Sequence, residues 1–218
     1  MSIAVIGAGR IGGNIARQLA LAGHQINVSF ARDAARLRAL AEEIAAEART
    51  PAEAVAASEV VVISVPWGAL PEALEQAGSL AGKIVIDTTN QYGPGPKPAE
   101  RQTAASFNAA RMPGASYTKS FNTLTSGFQA QVAHRDPRVV QWLCGDDEQA
   151  KAVVSGLIDD AGYVAVDLGG TERCAVMEAP RRAGAVYGEE YRLPDAQAVV
   201  EAVRAGRRIP PTPNYGGR

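Results

Sequence analysis

The chain has 218 residues, of which 46% are hydrophobic and 21% charged. That is the range of a globular protein with one domain of ordinary size and a core. A formal net charge of -1 carries no electrostatic footprint for nucleic acid or for an anionic membrane. Two cysteines, Cys144 and Cys174, and two histidines, His24 and His134, are too few and too scattered for a disulfide framework or a metal knuckle, so no metal site is expected. No apolar run reaches the 18 residues of a membrane span, and the opening MSIAVIGAG lacks the pattern of a secretory leader. The expectation is a cytoplasmic protein that touches neither membrane nor nucleic acid.

In chain order, Ile3–Ile6 reads as a short buried strand ending at Gly7. Apolar residues at Ile11, Ile15, Leu19 and Ala22 mark a helix stopped by Gly23. Gln25 to Phe30 reads as a second strand. Asp33 suits the cap of a helix running to about Ala48, and Pro51 opens another to about Ala57. Val60–Val65 is the clearest strand, its unbroken apolar character requiring cover on both faces. A helix follows from Pro66 to about Gly78, and Lys83–Asp87 is the next strand. After the Gly/Pro-rich loop from Asn90, a helix is expected over Ala99–Ala110. Strands are expected at Ser116–Asn122, Val139–Cys144 and Tyr163–Asp167, with a helix over Asp147–Ala161. Thr171–Ala179 and Ala196–Ala205 read as short helices. The alternation implies an α/β fold: a Rossmann-type, doubly wound, mostly parallel sheet with a short irregular C-terminal extension. Residues 1–179 form the nucleotide-binding domain. Residues 180–218 form an extension that packs on a partner subunit or is partly disordered.

Gly7-Ala8-Gly9-Arg10-Ile11-Gly12 is a GxGxxG motif that follows a strand and opens a helix. Gly7 makes the tight turn, Gly9 lets backbone approach a pyrophosphate, and Gly12 lets helix and strand pack closely. The helix N-terminus then meets the phosphates with unpaired N–H groups. An acidic reader of the ribose is missing at the end of the second strand, where Ser29, Phe30, Ala31 and Arg32 stand. Arg32, with Arg36 one turn on, suits a 2′-phosphate, so NADP is expected rather than NAD. Ser29 and Ala31 would border the same ribose. Ser64, Val65, Pro66 and Trp67 close the Val60–Val65 strand at the edge where ligands lie, and Trp67 is either a wall of the site or a core aromatic. Asn90, after the Lys83–Asp87 strand, could bond a carboxamide or ribose. His134 reads as a solvated loop residue and His24 as the close of the first helix.

These features, with KIVIDTTN, Lys119-Ser120-Phe121-Asn122-Thr123 and Leu143-Cys144-Gly145-Asp146-Asp147, resemble the NADPH-dependent coenzyme F420 reductase family, to which the cytosolic domain of the STEAP metalloreductases is related. The resemblance spans about residues 1 to 179. It implies hydride transfer between NADP(H) and a flavin or deazaflavin: FMN, FAD or coenzyme F420. It places Gly9, Arg10 and Ile11 on the pyrophosphate, Ser64–Trp67 on the nicotinamide half, and Asn122, Thr123 and Leu124 around the acceptor. After residue 179 the chain departs from the family, running PRRAGAVYGEEY into a Pro-rich tail.

No side-chain acid or base is required for such a transfer, which needs proximity and orientation, so no catalytic residue is assigned. Lys119 and Asn122 are three apart on an expected strand rather than four apart on a helix, which excludes a hydroxyacid-dehydrogenase pair. Two other functions fit the residues. One is an imine or hydroxyacid reductase whose site is completed by a partner in a homodimer. The other is a non-catalytic NADPH-binding redox sensor. Only about 40 residues follow residue 179, too few for a separate substrate domain, which favours transfer between two bound cofactors in an open cleft.

Overall fold

The computed structural model describes residues 1–30 and 34–215. Its first half is a βαβ series: β1 (Ser2–Ile6), α1 (Arg10–Leu21), β2 (Gln25–Ser29), α2 (Ala34–Glu43), β3 (Glu47–Ala48), α3 (Pro51–Ala56), β4 (Val60–Ile63), α4 (Leu70–Ala77) and β5 (Ile84–Asp87). The second half adds α5 (Ala104–Ala109), β6 (Ser116–Lys119), α6 (Ser126–Val132), β7 (Val140–Gly145), α7 (Glu148–Asp160), β8 (Val164–Gly169) and α8 (Leu193–Arg204). Short 3₁₀ segments lie at Trp67–Ala69 and Thr171–Met177.

One eight-stranded sheet runs β3-β2-β1-β4-β5-β6-β7-β8. All neighbours are parallel except β6 and β7, which are antiparallel. The order from β3 to β6 is that of the dinucleotide-binding sheet, with its crevice where the chain leaves β3 and crosses to β4. Strand periodicity divides the core into two layers. Ala4, Ile6, Val61 and Ile63 face one side, toward α3, α4, α5 and α8. Ile3, Val5, Val60 and Val62 face the other, toward α1, α2, α6 and α7. Both faces of the sheet are covered, which is why β4 is apolar and buried at every position.

Several elements differ from the sequence expectation. The second long helix stops at Glu43, because Ala45 takes a positive φ of 51° and the chain drops into β3, an edge strand too short to show a pattern. The helix expected from Ala99 begins at Ala104, where the Thr103 hydroxyl accepts from Ser106 N. The strand expected to reach Asn122 ends at Lys119, and Phe121 turns with a φ of 56°. α6 has too few apolar residues to be periodic, and only its cap, Thr125 accepting from Phe128 N, signals it. Residues 180–192 carry neither helix nor strand. α8 then returns to the sheet, burying Ala196, Val199 and Ala202 in the layer that holds Trp142 and Tyr191. Among the described residues no helix is long and apolar enough to cross a membrane, and no cluster of three His, Cys, Asp or Glu side chains could hold a metal.

Candidate nucleotide and acceptor site

The three motif glycines do different work. Gly7 has a φ of +100°, and a Cβ there would lie 2.3 Å from Ser64 O, so the β1–α1 turn admits glycine alone. A Cβ on Gly12 would lie 2.2 Å from Gly7 O, so α1 sits against that turn closer than alanine allows. Gly9 is different. Nothing of the protein lies within 4 Å of where its Cβ would be. The open space above Gly9 is the cleft itself. Gly9 is also the cap residue of α1 and offers no side chain to the first-turn N–H groups, which face outward with the positive end of a 12-residue helix. This cradle fits a pyrophosphate.

The cleft has a volume of about 1260 Å³ and runs along the carboxyl ends of the strands. One end is bordered by Ser29, Arg36, Leu37, Arg49 and Pro51, the middle by Gly7–Ile11 and Ser64–Ala69, and the far end by Thr88–Asn90, Tyr92, Phe121, Asn122, Leu124 and Tyr187. Of the sequence candidates, Gly7, Gly9, Arg10, Ile11, Ser29, Arg36, Ser64, Val65, Pro66, Trp67, Asn90, Asn122 and Leu124 are brought together on its walls. Gly12 and Thr123 stand behind the wall. Ala31, Arg32 and the proposed cap Asp33 lie outside the described residues.

At the first end, Ser29 is fully buried and donates its hydroxyl to Arg49 O at 2.8 Å. It holds Arg49 rather than presenting itself to a ligand. Arg49 donates Nε to Asn27 Oδ1 at 2.8 Å and pairs with Glu47 at 3.2 Å, which fixes its planar fork at the cleft rim beside Arg36. Sequence reasoning missed Arg49. Its position depends on β3 pairing with β2, and the signal was only the Thr50-Pro51 helix start, a capping box with Glu53.

In the middle, Trp67 is 1% exposed. Its indole donates to Pro96 O at 2.8 Å and stacks on Phe107 with ring centroids 6.0 Å apart. The core alternative therefore accounts for most of this side chain, which pins the loop after Asn90. Ser64 Oγ accepts from Thr88 Oγ1 at 3.1 Å, joining β4 to β5 at the cleft floor.

At the far end, Asn90 is committed to the protein. Its Nδ2 donates to Asn122 O at 2.8 Å, and its Oδ1 accepts from Asn122 Nδ2 at 3.2 Å and from Ala179 N at 3.3 Å. Asn122 also donates Nδ2 to Met177 O at 2.8 Å. Buried Gln129 on α6 donates to Phe121 O and Leu124 O, at 3.0 and 2.9 Å, holding the 121–124 turn in shape. Tyr92 and Tyr187 meet at their hydroxyls, 3.2 Å apart. Neither was singled out in the sequence, and residue 187 reaches the site only through the tertiary path of the C-terminal extension.

Under this end lies a sealed polar cluster. Lys119 is fully buried, donates Nζ to Thr89 O at 2.6 Å and stands 3.5 Å from Asp87 Oδ2. Asp87 also accepts from Thr89 N, Asn108 Nδ2 and Tyr117 Oη, at 2.7, 2.8 and 2.6 Å. Burial pushes the Asp87 carboxyl up, but the Lys119 charge and these hydrogen bonds outweigh it and hold the group below the usual carboxylate range. Burial, and then the Asp87 charge, push the Tyr117 phenol well above its ordinary value, so it remains a donor. Lys119 is thereby a structural cation beneath Thr88–Asn90. The two histidines stay outside the cleft, His24 bonded to Asp160 and the exposed His134 to Gln18, each at 2.9 Å.

Comparison with known proteins places this geometry. Residues 2–91 match the family described as NADP oxidoreductase, coenzyme F420-dependent. Over 177 residues the chain is 28% identical to Metalloreductase STEAP3 of Rattus norvegicus, covering 81% of this chain and 36% of that protein, so it spans about a third of that curated relative. A hypothetical protein of Sinorhizobium meliloti shares the fold at a TM-score of 0.77 and 24% identity, over 88% of this chain and 96% of its own. A putative F420-dependent NADP-reductase of Arthrobacter sp. FB24 aligns at a TM-score of 0.67 and 26% identity, over 78% and 86%. A reductive aminase of Aspergillus terreus, in complex with NADPH and ethyl levulinate, aligns at 0.59 and 27%, over 78% of this chain but 55% of that enzyme. The segment from β1 through β5, with its glycine cradle at the switch point of the sheet, is the part of the chain that is similar to the coenzyme F420-dependent NADP oxidoreductase family, over residues 2–91.

Proposed function

We propose that the chain transfers a hydride between NADP(H) and a flavin or deazaflavin acceptor. The observation that carries this reading is Gly9: the cleft opens where its Cβ would be, beneath the uncapped N-terminus of α1. In this reading the backbone N–H groups of Gly9, Arg10 and Ile11 hold the pyrophosphate. Arg36 and Arg49, with Arg32 from the segment outside the described residues, meet the 2′-phosphate as charged donors. Ser64, Val65 and Pro66 fix one face of the nicotinamide half, and Asn122 and Leu124 border the acceptor. When bound, NADP(H) supplies the hydride at its nicotinamide ring. The protein's task is alignment of two rings to within about 3–3.5 Å and exclusion of water, which suits a far end walled by apolar and amide groups. Residues 1–179 serve as the nucleotide-binding unit, and residues 180–218 serve as an extension that contributes Tyr187 to the acceptor end.

The test is to mix protein with NADPH and follow the nicotinamide absorbance while adding FMN, FAD, coenzyme F420 or a cyclic imine in turn. Oxidation by a flavin or by F420 is expected. Oxidation by the imine alone would transfer the assignment to an imine reductase. Tight NADPH binding that no acceptor discharges would make the chain a sensor. In the same assay Arg49→Ala should weaken NADPH by about tenfold or more, the worth of a charged hydrogen bond, and leave NADH unchanged. Equal loss for both nucleotides would remove Arg49 from the phosphate site.

A further inference from the structure

The two cysteines stand far apart in the sequence, and the fold brings them together as free thiols. Cys144 points from β7 into the core layer that also holds Trp142 and Tyr191. Its partner across the β6–β7 pairing is Lys119. Cys174 and Met177 lie three apart in the 3₁₀ segment Thr171–Met177. Three residues make one turn of such a helix, so the two side chains fall on one face. That face meets β7. The Cys144 thiol donates to Met177 Sδ at 3.4 Å, and the Cys174 thiol is hydrogen-bonded to Cys144. All three side chains are fully buried. Three sulfurs from two elements thus form one cluster. The carboxylates around it are engaged elsewhere. Glu178, next to Met177, gives its two oxygens to Ala104 N and Ala105 N, and Asp87 is held by Lys119, Tyr117, Asn108 and Thr89.

Two thiols and a thioether are a soft donor set, which suits Cu(I) and not the oxygen-seeking Mg²⁺ or Ca²⁺. A structural zinc ion takes four ligands, and neither carboxylate is free to be the fourth. Metal–thiolate bonds are about 2.3 Å long, so a trigonal ion holds its sulfurs about 4 Å apart, and the Cys144–Met177 pair needs to open by only about half an ångström. Burial, and then the neighbouring Cys144, push the Cys174 thiol well above its ordinary value, while the Lys119 charge pulls it down. Cys174 is therefore a protonated thiol at neutral pH, and a soft ion takes the place of that proton. Two thiolates around one monovalent ion leave a single negative charge, for which the Lys119 ammonium is the neighbouring cation. The geometry points to Cys144, Cys174 and Met177 as a binding site for a soft monovalent cation, with Cu(I) held as a three-sulfur complex inside the core. The site is separate from the nucleotide cleft and does not depend on the hydride-transfer reading. The 3₁₀ segment carries two of the three ligands and leads into residues 180–192, which have neither helix nor strand, so this segment is the part that opens to admit the ion.

The experiment is an anaerobic titration of the reduced full chain with Cu(I) held by the chelator bicinchoninate. The chain is expected to withdraw a single equivalent of Cu(I), with a thiolate-to-copper charge-transfer band appearing in the ultraviolet. X-ray absorption at the copper edge should then show three sulfur scatterers and neither nitrogen nor oxygen. Met177→Leu keeps the volume of the side chain and removes only the thioether. It should weaken Cu(I) about tenfold or more, at least the loss that follows removal of a group supporting a ligand. Replacing both cysteines, Cys144→Ala with Cys174→Ala, should abolish the withdrawal, and excess Zn²⁺ should not displace the bound Cu(I). No withdrawal by the wild-type chain, nitrogen or oxygen in the copper shell, or equal Cu(I) affinity in Met177→Leu and wild type would overturn the site. The absorption spectrum is read on the wild-type chain, so the result stands whether or not the cysteine variants fold. NADP⁺ binding, measured on the same preparation, tests the nucleotide reading separately.

Discussion

Gly7, Gly9 and Gly12 share one motif but answer to different forces. Gly7 and Gly12 are glycine because backbone oxygens stand 2.3 and 2.2 Å from any Cβ they could carry. Gly9 has empty space there and an ordinary φ of -78°, so nothing in the protein demands a glycine. Gly9→Val is therefore expected to cost about 1 kcal/mol of stability, the difference between glycine and a poor helix-cap residue, and yet to lose NADPH affinity by more than tenfold, because the side chain fills the pyrophosphate cradle. Gly12→Ala should do the reverse first, losing about 1–3 kcal/mol of stability to overpacking. Thermal melts beside nucleotide titrations separate the two, and an unchanged NADPH affinity in Gly9→Val would disprove the cradle. The motif was readable because its glycines act within six residues. Arg49, Tyr92 and Tyr187 were not, because each reaches the cleft through pairings across the sheet or from the chain's far end.

Among the elements, those with an unbroken apolar run or a helical stripe could be read from the sequence: β1, β4, β5, α1 and α7. β3 and α6 escaped because a two-residue edge strand and a seven-residue helix holding Ser, Gly and two Gln carry no period. β6 shows a third behaviour. It reads as a strand, yet its last residue is a buried lysine, tolerated because Asp87 on neighbouring β5 pairs with it. Lys119→Met should cost about 3–5 kcal/mol, since it leaves Asp87 buried without its cation. The pH dependence has a definite sign. Asp87 is held below its unfolded value of about 3.9, so its contribution is full above that pH and is lost as pH falls through the lower folded value. The stability difference between wild type and Asp87→Asn should thus shrink between pH 5 and pH 3 in urea titrations. A constant difference across that range would show that the carboxylate charge is not what the cluster uses. Because Lys119 also holds Thr89 O, this variant reports on the cleft floor as well as on the core.

At the scale of the whole molecule, the C-terminal extension joins the same core as the first 179 residues. Val186, Tyr191 and Val199 are buried with Trp142, whose ring meets Tyr191 edge-on at 5.3 Å. Burying each such side chain is worth about 1.5–3 kcal/mol. Removing residues 180–218 should therefore take several kcal/mol from a total of about 5–15, with a broad, early melt and binding of a hydrophobic dye. A sharp melt at the wild-type temperature would show instead that residues 1–179 fold alone. The sequence by itself determined the parallel sheet, the strands β1, β2, β4 and β5 with helices between them, and the glycine cradle, since these follow from apolar period and from backbone sterics over short spans. Only the tertiary structure decided which side chains wall the far end of the cleft. The antiparallel return of β7, the turn held by Gln129 and the path of residues 185–191 bring Asn122, Tyr92 and Tyr187 together, and such meetings depend on long-range packing that no local pattern encodes.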